Sequence, residues 1–331
     1  MLSKARISAL LPVVIGLLLP LGLQDDYLLH VASLVGIYII VVSGLNVIIG
    51  YTGQFMLAPA AFFGIGAYTV GILTTKTGSS FWLALLVAII LALIVAVIIG
   101  LPSLRVRGPY LAFLTLAFGE IFYAIINNWF DLTGGAIGIR LIPVPEVLGF
   151  EFSLGLRFYY LVLIFLLISV LLIGRILRSH FGLAFRMTKE GEEAAETLGV
   201  NTTKAKLQAF AISAVFMAVG GALYAPLIGL ISPPTFTLNF SFIFIFMLIL
   251  GGQASIVGPI IGAIVIGILP EVLRDALQYY LLINGLIMIG ILLFTPNGLW
   301  GILQRIPQWF SPVSADVSFP KAPTAENPKG K

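Results

Sequence analysis

Long runs of apolar residues with almost no charge recur along the whole 331-residue chain. Each run is about 17 to 25 residues long, which is enough for a helix to cross the roughly 30 Å hydrocarbon core of a bilayer. Only 10% of the residues are charged and 60% are hydrophobic, whereas soluble domains carry about 25% charged residues. A water-soluble fold would lack the polar side chains to cover its surface, so the sequence predicts an integral membrane protein.

The runs predict an all-α, polytopic transmembrane bundle of about eight to ten spans. They lie at residues 7–24, 31–50, 56–74, 82–101, 110–127, 157–175, 207–230, 238–253, 256–272 and 277–295. Stretch 7–24 resembles a signal peptide, but no small-x-small cleavage site precedes Asp25, so we interpret it as a retained first span. Stretch 56–74 begins at Pro59 and 256–272 is short and glycine-rich, so either could be broken or re-entrant.

Lysine and arginine collect on one side of these spans. If the N-terminus is cytoplasmic, that side holds Lys4, Arg6, Arg105, Arg107, Arg175, Arg178, Arg186, Lys189, Lys204, Lys206 and Arg305. The other side holds Asp25, Asp26, Asp131 and Glu146 against Lys76, Arg140, Arg157 and Arg274. Because loops rich in Lys and Arg stay in the cytoplasm, we expect both termini there. The transmembrane domain is predicted at 1–305, and 306–331, rich in Pro, Ser, Ala and charge, as a flexible cytoplasmic tail.

The polar loop 176–206 is predicted to be a helical module on the cytoplasmic side. Thr188 is predicted to cap a helix with acidic residues in its first turn, and Gly199 stands where a left-handed C-cap is wanted. Asn201 or Thr202 can cap the next helix. On physical grounds alone the loop is either a solvated connector or a surface that docks in a groove of a partner.

Small residues recur at helical spacing in several spans. They are Gly64 and Gly66, then Ala214, Ala218 and Ala222, and finally Gly258 and Gly262. Small side chains let helix backbones approach closely within a membrane, so we predict helix-packing seams there rather than substrate contacts.

Polar residues inside the spans mark the other candidate positions, because such groups are costly in hydrocarbon and tend to face the bundle or a pathway. They are Asn46, Gln54, Glu120, Asn239, Gln253 and Asn284. Glu120 either bonds to a neighbouring helix or faces the transport pathway. Gln54 and Gln253 each follow a glycine and precede a small-residue helix, which hints at a duplicated element.

Several classes of protein lack their required residues in this chain. No Gly-x-x-x-x-Gly-Lys-Ser/Thr sequence occurs, so ATP hydrolysis by a P-loop would need a separate polypeptide. The chain has no cysteine, and His30 and His180 are too far apart to suggest a metal site, so we expect neither metal, cofactor nor catalytic residues. A self-contained secondary transporter would need charged residues inside its spans for proton or sodium coupling. Apart from Glu120 the predicted spans contain almost none, which disfavours that class.

Glu193, Ala194 and Ala195, followed after three residues by Gly199, resemble the EAA loop of membrane subunits of bacterial ABC importers. Further segments resemble the LivM-like branch of the branched-chain amino acid permeases. These segments are GLNVIIGYTGQ (44–54), AAFFGIGAY (60–68), LRVRGPYLAFLTLAFGEI (104–121), TGGAIGI (133–139), ILGGQASIVGPIIGA (249–263) and TPNGLWGIL (295–303). Where the family commonly has Ser-Leu-Gly-His, residues 56–59 read Met-Leu-Ala-Pro, so no histidine role carries over to that place.

The resemblance implies a type II ABC importer-like permease subunit, multi-pass in a prokaryotic plasma (inner) membrane. It implies inward, ATP-driven movement of branched-chain (hydrophobic) amino acids, with urea or short amides as the alternative cargo. The implied partners are a second, LivH-like permease subunit, two ABC ATPase subunits and an extracytoplasmic substrate-binding protein. The loop residues Glu193, Ala194, Ala195 and Gly199 would then form the helix that couples the permease to the ATPase.

Overall fold

The computed structural model describes residues 25–103, 110–147, 149–272, 285 and 298–301. The long helices are α1 (Asp26–Asn46), α2 (Pro59–Lys76), α3 (Phe81–Ser103), α4 (Tyr110–Asn128), α6 (Leu156–Arg178), α9 (Thr202–Ile228), α10 (Leu238–Gly251) and α11 (Gly258–Val272). Shorter helices are α5 (Phe130–Thr133), α7 (His180–Glu190) and α8 (Glu192–Thr197), with a π-helical turn at Val47–Tyr51 and 3₁₀ turns at Gly135–Ile137 and Pro233–Phe236.

Each of the eight long helices in the described ranges coincides with one predicted span. Five of the helices are long and apolar enough to cross a membrane, and α10 and α11 are shorter apolar helices. The prediction of an all-α, polytopic transmembrane bundle is therefore confirmed. The predicted spans 7–24 and 277–295, the tail 306–331 and Asn284 lie outside the described residues.

The connections between helices gather at two opposite ends of the bundle. We call one the strand end, because it holds two antiparallel pairs, β1 (Ile139–Arg140) with β4 (Leu230–Ile231) and β2 (Glu146–Val147) with β3 (Phe150–Glu151). At the same end Trp82 donates its indole N–H to the Glu146 carbonyl at 2.8 Å. The opposite, module end carries α7 and α8.

Helix α9 lies at the centre and packs most extensively against α2, α1 and α3. Glycines allow this contact to be backbone against backbone. A methyl group on Gly66 would lie 1.9 Å from the Ala218 carbonyl oxygen, and one on Gly221 would lie 1.8 Å from the Phe63 carbonyl oxygen. No side chain fits at either place, so the two glycines allow the backbones of α2 and α9 to approach closely.

The hairpin of α10 and α11 is built in the same way. A methyl group on Gly262 would lie 1.7 Å from the Met247 carbonyl oxygen, and one on Gly258 would lie 2.0 Å from the Gly252 carbonyl oxygen. These two glycines therefore set the close crossing of the two short helices.

Candidate coupling module and intramembrane breaks

Helix α8 ends in a Schellman motif that Gly199 makes possible. The Val200 N–H bonds to the Ala195 carbonyl at 3.0 Å, and the Gly199 N–H bonds to the Glu196 carbonyl at 2.9 Å. Gly199 has φ +83°, a left-handed conformation that costs a side-chain-bearing residue about 1–2 kcal/mol. The C-cap that the sequence predicts at this glycine is therefore present.

The module is fastened to the start of α9 by side chains of its acidic residues. Asn201 caps α9, because its side-chain oxygen accepts a hydrogen bond from the Lys204 N–H at 2.9 Å. The Thr202 hydroxyl donates to the Glu196 carboxylate at 2.6 Å, and Glu192 forms an ion pair with Lys206. These contacts attach α8 to the start of the central helix.

One face of the module is open. Glu193, Ala194 and Leu198 are exposed, and Leu198 is 72% exposed despite its apolar side chain. Ala195 is buried beneath them and anchors the helix. Of the four residues that the sequence singles out in the loop, Glu193, Ala194 and Gly199 are therefore exposed and only Ala195 is buried. The exposed surface combines acidic groups with an apolar side chain.

The predicted helix cap at Thr188 is wrong. Thr188 lies inside α7, is buried, and donates its hydroxyl to the Ala184 carbonyl at 2.8 Å. Ser179 caps α7 instead by accepting a hydrogen bond from the Phe181 N–H at 3.2 Å. Helix α7 runs through Thr188 because Gly182, Phe185 and Thr188, three residues apart, turn one face of it toward the bundle. The helix that ends at Gly199 is α8, which begins later than predicted, at Glu192, with Gly191 at its N-cap and no side-chain cap.

The first break in the transmembrane helices follows α1. The π-helical turn ends the helix, Gly53 takes φ +72°, and the chain returns into the bundle before Pro59 starts α2. The Leu57 N–H donates to the Thr115 hydroxyl at 3.0 Å, and the Ala60 N–H donates to the Ser241 hydroxyl at 3.2 Å. Polar side chains of α4 and α10 thus satisfy backbone groups at the buried start of α2.

The second break lies between α10 and α11, and Asn46 joins it to the first. The buried Asn46 side chain donates to the Ser255 carbonyl at 2.6 Å and accepts from the Ala254 N–H at 3.0 Å. Ala254 holds the left-handed φ of +57°. A methyl group on Gly50 would lie 2.0 Å from the Asn46 side-chain oxygen and 2.7 Å from the Ala254 nitrogen, so only glycine fits between the breaks.

The other intramembrane polar residues are not gathered around Asn46. Gln54 is half-buried and its side-chain oxygen lies 3.5 Å from the Thr52 hydroxyl, while Gln253 and Asn239 are exposed. Gly53-Gln54 lies in the first break and Gly252-Gln253 lies in the second. Both pairs are therefore at the same end of the bundle, where Asn46 joins the two breaks.

Glu120 lies on α4, the most exposed of the five long apolar helices. Only 17% of the most apolar 18-residue window of α4 is buried. Glu120 is exposed between Phe113 and Ile121, which are 64% and 58% exposed, and makes no hydrogen bond or ion pair within the described ranges. A carboxylate on such a surface is costly against lipid, so this face of α4 requires a polar or protein covering.

Two positions that sequence reasoning missed connect the module to the first break. Lys189, in the last turn of α7, donates its ammonium group to the Gly50 carbonyl at 2.7 Å. Arg186, one turn earlier, lies over the Tyr51 ring at 5.6 Å. The sequence carries no signal for these contacts, because each joins residues more than a hundred positions apart.

The fold and the module together define a multi-pass, α-helical membrane protein with a helical module at one end. Residues 27–295 match the family model described as "Branched-chain amino acid transport system / permease component". The chain belongs to this family of permeases.

Relatives support the same family. The chain is 36% identical over 292 residues to the high-affinity branched-chain amino acid transport system permease protein LivM of Escherichia coli, covering 81% of this chain and 69% of the relative. It is 27% identical over 235 residues to a probable LivM permease of Methanocaldococcus jannaschii, covering 66% of this chain and 67% of the relative. A probable LivH permease of the same archaeon is 29% identical over 205 residues, covering 58% of this chain and 64% of the relative. No solved structure matches significantly.

Proposed function

We propose that this chain is the membrane-spanning permease subunit of an ATP-driven ABC importer, and that it translocates branched-chain amino acids delivered by a binding protein. The match of residues 27–295 to the permease family carries this proposal. The names of the LivM and LivH relatives favour branched-chain amino acids over urea or short amides as cargo.

We assign energy coupling to helix α8, which would dock in a groove of a separate ATPase subunit. Three features support this role: the exposed Glu193, Ala194 and Leu198, the anchor Ala195, and the fastening of α8 to α9 through Glu196 and Glu192. The chain has no P-loop of its own. The proposed assembly therefore contains a second, LivH-like permease, two ATPases and an extracytoplasmic binding protein.

We place the module end in the cytoplasm and both termini on that side of the prokaryotic plasma (inner) membrane. Six basic residues of the described ranges lie at the module end, namely Arg175, Arg178, Arg186, Lys189, Lys204 and Lys206. Three lie at the strand end, namely Lys76, Arg140 and Arg157. An excess of Lys and Arg on one side orients membrane proteins with that side in the cytoplasm.

We place the transport pathway along the exposed face of α4, between this chain and the second permease. Glu120 lies on that face without a partner in the described ranges, and a water-filled pathway would keep its carboxylate hydrated. An amino acid in transit also carries an ammonium group that a carboxylate can bind.

The proposal is tested by expressing the chain with its neighbouring genes and purifying it in mild detergent, then reconstituting what remains bound in liposomes. We expect an ATPase and a second permease to co-purify, and leucine to accumulate only when ATP and a binding protein are present. A chain that purifies alone and still transports would overturn the importer proposal.

The coupling role of α8 predicts a distinct defect for Gly199→Val. Valine is strained at φ +83° and breaks the Schellman motif, so we expect about tenfold lower uptake with normal membrane insertion. Gly199→Asn is the matched control, because asparagine tolerates the left-handed conformation, and it should retain most of the uptake. Wild-type uptake by Gly199→Val would refute the assignment of α8.

A further inference from the structure

Lys189 connects the cytoplasmic module to the helix break inside the bundle, and its surroundings are unusual for a surface lysine. Its ammonium group bonds to the Gly50 carbonyl at 2.7 Å, in the π-helical turn that ends α1. A methyl group on Gly53 would lie 3.2 Å from Lys189 Cγ, so the lysine stem crosses the chain at a glycine. The side chain therefore contacts the first part of the first break, at Gly50 and Gly53.

Helix ends explain why a cation lies there. The last carbonyl groups of a helix lack intrahelical donors and carry partial negative charge, which a lysine ammonium satisfies. In the part of the chain that the structure describes, Lys189 makes no ion pair. Its bond to Gly50 is thus its polar anchor on the bundle, and it joins α7 to α1 without a competing carboxylate.

The contact continues from Gly50 to the second break. Gly50 packs directly against the Asn46 side chain and the Ala254 nitrogen. Asn46 in turn holds Ala254 and Ser255 by two hydrogen bonds. Three successive contacts therefore lead from α7 through the π-helical turn to the connection between α10 and α11.

We propose that Lys189 and Asn46 are positioning residues of a relay: Lys189 transmits movement of the module to the first break, and Asn46 passes it to the second. This inference rests on the proposed function. π-helical turns are frequent at functional sites, and the close packing of Gly50 against Asn46 and Ala254 would pass a displacement of the turn directly to the second break. An ATPase docked on α8 would displace α7, which packs against α8, and would then move both breaks together, as in a two-state rearrangement.

The first test compares two lysines that make the same kind of bond at opposite ends of the bundle. Lys189 donates to the Gly50 carbonyl at the module end, and Lys76 donates to the Asp131 carbonyl at the strand end. Lys189→Met and Lys76→Met are each reconstituted with the complete importer, and leucine transported per ATP hydrolysed is measured. We expect this ratio to fall about fivefold or more in Lys189→Met, the lower range of typical couplings between sites, and to stay unchanged in Lys76→Met.

The outcomes separate the relay from the function it rests on. An unchanged ratio in Lys189→Met, or an equal fall in both variants, overturns the relay while leaving the importer standing. If the wild-type assembly shows no ATP-dependent uptake, the proposed function itself fails.

A second test does not depend on the folding of Lys189→Met. The chain contains no cysteine, so Gln54→Cys and Gln253→Cys each introduce a single thiol, one in each break. Maleimide labelling of this chain is compared in the nucleotide-free importer and in one trapped with a non-hydrolysable ATP analogue. We expect the analogue to change labelling about fivefold or more at both positions, the lower range of typical couplings between sites.

Asn46→Ala should abolish the response at position 253 and preserve it at position 54, because it removes only the hydrogen bonds to the second break. Lys189→Met should abolish both responses where it assembles. Retention of the position 253 response in Asn46→Ala, or no response at either position in the wild-type background, would refute the relay.

Discussion

Helices α3 and α9 differ in a way that their hydrophobicity does not predict. α3 is the most hydrophobic of the five long apolar helices, yet only 33% of its most apolar window is buried, against 78% for the less hydrophobic α9. In a bilayer, lipid tails are as apolar as leucine, so no hydrophobic force draws large side chains inward. Close packing decides instead which residues lie inside, and along α3 it favours small ones.

The same rule operates within α3. Its buried side is a stripe of alanines, Ala84, Ala88, Ala92 and Ala96, and each is fully buried. Large residues on the other side are exposed, with Ile98 at 63%. Sequence reasoning overlooked this stripe, although the four-residue spacing of small side chains was available to it.

The largest effect is expected at the centre of α9. Gly221→Val would place atoms within 1.8 Å of the Phe63 carbonyl, so α2 and α9 must separate, and we expect a loss of several kcal/mol or no folded protein. Gly174→Ala is the control, since a methyl group there meets only Ile256 at 3.8 Å. Both variants are compared by size-exclusion chromatography and thermal unfolding in detergent. Equal unfolding temperatures would contradict the close backbone contact between α2 and α9.

An intermediate effect, on transport alone, is expected on the exposed face of α4. Glu120→Gln removes the charge with little change of shape, and loss of a charged hydrogen bond of about 1.5–3 kcal/mol lowers uptake about tenfold or more. Thermal stability should be unchanged, because Glu120 makes no bond within the described ranges. Ile125→Val on the same exposed face should transport normally. Uptake by Glu120→Gln at the wild-type rate would remove Glu120 from the pathway.

The smallest effect is expected on the exposed side of α3. Ile98→Val should change the free energy of unfolding by less than about 0.5 kcal/mol, because Ile98 packs little against the protein. Ala96→Val, on the buried side of the same helix, adds volume to a full interface and should cost about 1–3 kcal/mol. The comparison of the two helix sides would fail if the two variants unfolded at the same temperature.

The helices themselves were predictable from the sequence, and so was the Gly199 cap. Runs of apolar residues fix where helices cross a membrane, since every backbone polar group must be paired there. The cap at Thr188 was mispredicted, because the inward face of α7 extends the helix through a residue whose local pattern suits a start. Tertiary packing overrode the local signal.

By itself the sequence determined the class of protein, the approximate positions of eight helices in the described ranges and the family, because these depend on local hydrophobicity and local motifs. Tertiary structure alone decided the partners of Asn46, the bond from Lys189 to Gly50 and the exposure of Glu120. Lys189 and Gly50 are 139 residues apart, and no local pattern encodes a contact between a surface lysine and a backbone carbonyl. Such contacts form only when packed small residues bring helix ends to the same place.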